Sequence, residues 1–176
     1  SSARRCGSVQ QNMLCARKDL AKTSSMPGKT ILVNHFLINN KWYLVDLPGY
    51  GFAKASKKAQ ATLKAMIEDY VSRSEELSRL FILLDSRHEL QEIDRNFITA
   101  VSGAGIPFTV ILTKCDKLSK AALDRSMEYM TGAIGAIHPG VSIIPASSEK
   151  RTGREEILDE IEADLKNART TAEDKR

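Results

Sequence analysis

The chain has 176 residues, of which 42% are hydrophobic and 27% charged, and a net charge of +4, proportions that suit one domain with a core of ordinary size. It shows no run of about 18 apolar residues and no cleavable leader pattern, so membrane spanning and secretion are not expected and the cytoplasm is the expected compartment. Cys6, Cys15 and Cys115 lack C-x-x-C spacing, and His35, His88 and His138 are scattered, which argues for reduced thiols and against a zinc site.

Charge is unevenly placed. Residues 1–60 hold ten Lys or Arg and two acids, a balance of +8, and residues 61–176 carry −4. A basic front half suits a polyanion such as RNA through phosphate contacts; a plain solvated surface would account for it as well.

In chain order, Ile31 to Ile38 and Trp42 to Asp46 are β-branched and aromatic runs separated by Asn39-Asn40-Lys41, which predicts a hairpin. Leu63, Met66, Ile67, Tyr70 and Val71 recur at helical spacing and predict an amphipathic helix. Leu80 to Leu84 reads as a buried strand; Ile93, Phe97 and Val101 mark a helix, and Phe108 to Leu112 another strand after Gly105-Ile106-Pro107. Leu123, Met127, Met130, Ile134 and Ile137 alternate steps of four and three residues. A coiled-coil seam would give that rhythm, but about two heptads favour a helix facing a core. Val141 to Ile144 is a short strand, and Thr152-Gly153-Arg154-Glu155 is a capping-box pattern opening a last helix that carries Ile157, Leu158, Ile161 and Leu165. A frayed tail is expected over 167–176. Strands alternating with helices predict an α/β fold: a doubly wound, mostly parallel sheet covered on both faces, with an antiparallel edge hairpin and a single domain over 1–176.

Chemistry-bearing residues gather at predicted strand ends. Thr113-Lys114-Cys115-Asp116 follows Phe108 to Leu112. A carboxylate at Asp116 accepts two hydrogen bonds from guanine, from N1–H and the 2-amino group, whereas adenine would leave it desolvated and unpaired at a cost of a few kcal/mol. Asp46-Leu47-Pro48-Gly49 closes the second strand of the hairpin. There a carboxylate can hold a Mg²⁺-bound water, and Gly49 can bring its backbone N–H against a terminal phosphate; the same string is also an ordinary turn. Gly28-Lys29-Thr30 lies in a polar loop whose Thr30 hydroxyl suits a magnesium shell, although Pro27-Gly28 reads equally as a turn before a strand. Ala146-Ser147-Ser148 follows the last strand and would offer N–H groups to guanine O6. Lys54, Lys57 and Lys58 form a basic loop, for RNA or for solubility.

The order of these four loops resembles the GTPase domain, and the text around them is more specific. Arg17 to Ser24, Pro27-Gly28-Lys29-Thr30, Trp42 through Gly51 and Ala53-Lys54 look like the EngB family of GTPases that act in assembly of the large ribosomal subunit. The likeness runs from about Asn12 to Leu165. It implies a P-loop NTPase fold, GTP and GDP binding with Mg²⁺, GTP hydrolysis, a partner in the large ribosomal subunit or its rRNA, and a monomer. The implied nucleotide-binding set is Gly28, Lys29, Thr30, Ile31, Leu32, Asp46, Leu47, Pro48, Gly49, Thr113, Lys114, Cys115, Asp116, Ala146, Ser147 and Ser148. Asp116 and Lys114 would hold the base, and Asp46, Thr30 and Ser8 the metal. Tyr50 stands where Ras-type enzymes place a water-orienting Gln, so another residue, a monovalent ion or the ribosome would position the water.

One part departs from the pattern. The family's Gly-Lys-Ser, the end of G-x-x-x-x-G-K-[ST], falls on Cys6-Gly7-Ser8; only Ser8 matches, and residues 1–11 are atypical. A shifted reading frame or a truncated gene would produce so abrupt a change, and the central first strand is expected to be absent with it. A nucleotide-independent binder of ribosomal RNA is therefore the alternative function.

Overall fold

The computed structural model describes residues 34–47 and 77–173, together with Ala65 and Asp69, which are helical. The predicted helix at Leu63 to Val71 otherwise lies outside the described residues, as do Ile31 to Val33 and the whole stretch expected to hold the first strand. The chain divides into two units, Ser1–Glu75 and Glu76–Arg176.

In the first unit, β1 (Asn34–Ile38) pairs antiparallel with β2 (Trp42–Asp46), Asn34 opposite Asp46 and Ile38 opposite Trp42. The turn works because Asn39 (φ 51°) and Asn40 (φ 53°) both take the left-handed conformation that asparagine tolerates better than most residues, and Lys41 N–H closes on Ile38 O at 3.0 Å.

The second unit is a parallel sheet in the order β3-β4-β5, built from β3 (Leu80–Asp85), β4 (Phe108–Thr113) and β5 (Ser142–Pro145). It is linked by α1 (Glu92–Gly103) and α2 (Lys120–Gly135) and followed by α3 (Arg154–Glu173). All six residues of β4 are buried, the mark of a central strand covered on both faces. Its core is completed by Phe97, Ile98 and Val101 of α1, Met130 and Ile134 of α2, and Ile157 and Ile161 of α3. The four-three rhythm in α2 is thus core packing.

Three expectations shift. Ile93 is 40% exposed and Ile98, fully buried, takes its place in the core, because α1 turns the Phe97-Ile98-Val101 stripe inward. The capping box does not form as read: α3 opens at Arg154, Gly153 precedes it at φ 76°, and the Glu155 carboxylate pairs with Arg154. The helix also continues past Asn167 to Glu173, where a frayed tail was expected; its Lys166–Glu162 pair and the exposed Ala168 support helix without needing a core.

At the amino ends of the strands a polar cluster ties α3 to the sheet. Arg79 donates to both Asp164 oxygens at 2.6 and 2.8 Å and to Thr109 Oγ1 at 3.1 Å. The Thr109 hydroxyl donates to Glu160, which also accepts from Ser142 Oγ at 2.5 Å. Thr109 is fully buried, so its satisfied hydroxyl is what makes a polar residue tolerable in β4. The opposite, carboxyl ends of the strands are left to the loops that carry the motifs.

Candidate guanine-binding site

β3 and β4 end level with each other, Asp85 opposite Thr113. The Thr113 side chain is buried and donates to Leu84 O at 2.9 Å, while Ser86 N–H donates to Thr113 O at 3.0 Å. Thr113 therefore fixes where the strand stops, and the loop begins from a rigid base.

Lys114 takes left-handed angles (φ 62°, ψ 29°), a conformation that costs a residue with a Cβ about 1 kcal/mol and persists only where its neighbours enforce it. They do so here. Cys115 N–H donates to Ala146 O at 3.2 Å, Cys115 Sγ bonds Leu112 O at 3.0 Å, and Lys117 N–H closes on Lys114 O at 3.0 Å in a short 3-10 turn over Cys115–Lys117. Burial pushes the Cys115 thiol up, so it stays protonated and serves as a small apolar plug.

The Asp116 side chain is only 6% exposed. One carboxylate oxygen accepts from Ser147 Oγ at 2.6 Å and the other lies 3.1 Å from Lys117 Nζ. The Ser147 bond foremost, then Lys117, holds this carboxyl below its ordinary range, so it is charged and acceptor-only at neutral pH. Lys117 also reaches Glu149 at 2.9 Å.

Ser147 is fully buried because the second loop is pinned from both sides. Ala146 N–H donates to Leu112 O at 2.8 Å, and Ser147 N–H donates to Thr152 O at 3.1 Å. Ser147 Oγ in turn accepts from Lys150 N–H at 3.2 Å. Gly153 closes the turn at φ 76°, and a Cβ built there would sit 2.5 Å from Pro145 O, so only glycine fits. The structure thus brings Thr113 to Asp116 and Ala146 to Ser148 together as two mutually pinned loops at the strand ends.

Asp46 is the half-buried last residue of β2, with Leu47 after it. Ser8, Gly28, Lys29, Thr30, Ile31, Leu32, Pro48 and Gly49 lie outside the described residues. Sequence reasoning missed Asp85, which accepts from Lys114 Nζ at 2.8 Å and from Arg87. Its one local signal is that, like Asp46, it is an aspartate closing an apolar strand run. Burial pushes its carboxyl up, but the bonds from Arg87 and Lys114 outweigh this and hold it well below the carboxylate range. A cavity of about 330 Å³ opens on the α1 side of Asp85, with His88, Gln91 and Met130 in its wall and none of residues 113–116 or 146–148.

A parallel sheet with this pair of loops at its carboxyl ends defines the chain as a P-loop GTPase fold. A family model described as 50S ribosome-binding GTPase matches residues 8–114, a span that starts at Ser8, the first position to fit the phosphate-loop pattern. A crystal structure of a probable GTP-binding protein EngB superimposes with a TM-score of 0.74 at 19% identity, over 91% of this chain and 92% of that one. Era bound to MgGDPNP and a segment of 16S ribosomal RNA shares the fold at a TM-score of 0.66 and 21% identity, over 93% of this chain and 53% of that one. Among curated proteins, the probable GTP-binding protein EngB of Bacteroides thetaiotaomicron is 49% identical over 152 residues, 86% of this chain and 75% of that protein. Its counterpart from Flavobacterium psychrophilum is 43% identical over 161 residues, 88% and 78% of the two chains. The chain belongs to the EngB family of GTP-binding proteins, GTP-hydrolysing enzymes of the P-loop class. No helix among the described residues is long and apolar enough to cross a membrane.

Proposed function

We propose that the chain binds GTP and GDP through the loops at Asp116 and Ser147 and hydrolyses GTP in assembly of the large ribosomal subunit, as a monomer in the cytoplasm. One observation carries the site reading: the Asp116 carboxylate is charged, nearly buried and oriented by Ser147, which is what two-donor recognition of guanine needs. In this reading Asp116 reads the edge of the base, the apolar stem of Lys114 covers its face, Ser147 Oγ holds the edge-reading carboxylate, and the Ser148 N–H meets O6. Gly49 would meet the γ-phosphate, with Gly28, Lys29, Ile31 and Leu32 in the loop that closes over the nucleotide.

Magnesium suits the donor set. Asp46 is a hard oxygen ligand at a strand's carboxyl end, and Thr30 and Ser8 would add hydroxyls, few protein ligands being normal for an ion shared with phosphates. When bound, the ion would neutralise phosphate charge. We treat 1–176 as a single GTPase-type domain because the matched family span, 8–114, crosses the boundary between the two units.

The ribosomal role is supported by the description of the matching family and by the basic front half. The nucleotide-independent RNA binder is not favoured by membership of a GTPase family. Sedimentation with purified large subunits tests the role: the chain should co-sediment more with a non-hydrolysable GTP analogue than with GDP. Equal co-sedimentation with GTP analogue, GDP and no nucleotide would favour the alternative.

A further inference from the structure

Asp85 sits on a fixed point of the fold. It ends β3 in register with Thr113, and the bonds from Thr113 Oγ1 to Leu84 O and from Ser86 N–H to Thr113 O hold the two strand ends together around it. Its Oδ1 accepts from the Arg87 N–H at 3.1 Å and from Arg87 Nε at 2.9 Å; Oδ2 accepts from Arg87 Nη2 at 2.7 Å and from Lys114 Nζ at 2.8 Å. Arg87 is the more exposed of the two cations, at 41% against 27% for Lys114. The carboxylate therefore accepts three bonds from a loop arginine, and it still takes the lysine that follows β4.

A lysine stem has four rotatable bonds and would otherwise sample many directions from its left-handed backbone position. Tethering its ammonium to the neighbouring strand end removes that freedom before any ligand arrives, and ordering done in advance returns as affinity. We propose that Asp85 is the positioning residue of the nucleotide site, holding Lys114 as a preformed cover for the face of the base whose edge Asp116 reads; the proposal rests on the guanine reading of Asp116. Arg87 shares Asp85 without being needed for this. Because the tether acts on the face of the base, its loss weakens every purine that Asp116 accepts by the same factor.

The test uses the full chain and two competing nucleotides, GDP and inosine diphosphate, which lacks the 2-amino group and so makes one bond fewer to Asp116. Asp85→Ala should weaken both by about five- to tenfold and leave their ratio unchanged; Asp85→Glu should restore most of the loss, and Arg87→Ala should bind as the parent does. Melting followed by circular dichroism checks the fold, and Asp85→Asn replaces the alanine variant should that unfold. Parent-like affinity in Asp85→Ala, or a GDP preference lost along with affinity, overturns the inference, the latter because it would mean Asp85 merely supports the whole loop. A parent chain that binds neither diphosphate overturns the guanine reading itself and this inference with it.

Discussion

Gly153→Ala probes the joint that holds the second loop in place. The substitution adds one methyl at φ 76°, and the added carbon would lie 2.5 Å from Pro145 O, 3.0 Å from Ala146 Cβ and 3.1 Å from Ala146 Cα. The backbone conformation alone costs alanine about 1–2 kcal/mol. The contact is with main chain that cannot drift cheaply, because Ala146 N–H is bonded to Leu112 O at 2.8 Å and Ala146 O to Cys115 N–H at 3.2 Å; overpacking of this kind adds about 1–3 kcal/mol. A total of about 3 kcal/mol predicts a melting temperature lower by about 6–12 °C for a chain of this size. Any relaxation also moves Ser147 away from Asp116, so guanine affinity should fall together with stability. Urea unfolding and a fluorescent GDP titration measure the two effects. Gly132→Ala is the control, since a Cβ there meets nothing within 4 Å; in α2 it should stabilise by about 0.5–1 kcal/mol. A Gly153→Ala chain within about 0.5 kcal/mol of the parent would mean that the Pro145 carbonyl gives way freely and the joint is not rigid.

Other expectations follow from the same contacts. Ser147→Ala removes the 2.6 Å bond to Asp116 and should weaken GDP binding about tenfold while lowering stability by about 1 kcal/mol, read from titration and urea midpoints. Arg79→Met leaves Asp164 and Glu160, whose side chains are 15% and 22% exposed, without their cation and should cost about 2–3 kcal/mol in urea unfolding with little effect on nucleotide affinity. Asp85 has a folded carboxyl held below the unfolded value of about 4, so its stabilisation is present above that value and is lost as pH falls toward the folded one. Between about pH 5 and pH 3 the parent's urea midpoint should therefore fall more than that of Asp85→Asn.

The parallel sheet was legible because Leu80 to Leu84 is an unbroken apolar run and Phe108 to Leu112 one interrupted by Thr109 alone, each ended by a polar residue, the pattern of a strand covered on both faces. Thr113-Lys114-Cys115-Asp116 could be placed at a strand end for the same reason. What escaped was relational. Asp85 shows locally only as an aspartate closing an apolar run, and its importance comes from register with Thr113, a fact of strand pairing rather than of sequence spacing. The misplaced start of α3 has a similar origin: Thr152-Gly153-Arg154-Glu155 fits a capping box locally, but Thr152 O is taken by Ser147 N–H and Gly153 is bent by the approach of Pro145. Ile93 lost to Ile98 because both fit the helical period and only packing chooses between them.

The loops around Asp116 should select guanine. Competition against a fluorescent GDP analogue on the unmodified chain tests it most directly: GDP should displace the probe in the micromolar range while ADP at a hundredfold higher concentration should not. Displacement by ADP as readily as by GDP, or no binding of the probe at all, would contradict it.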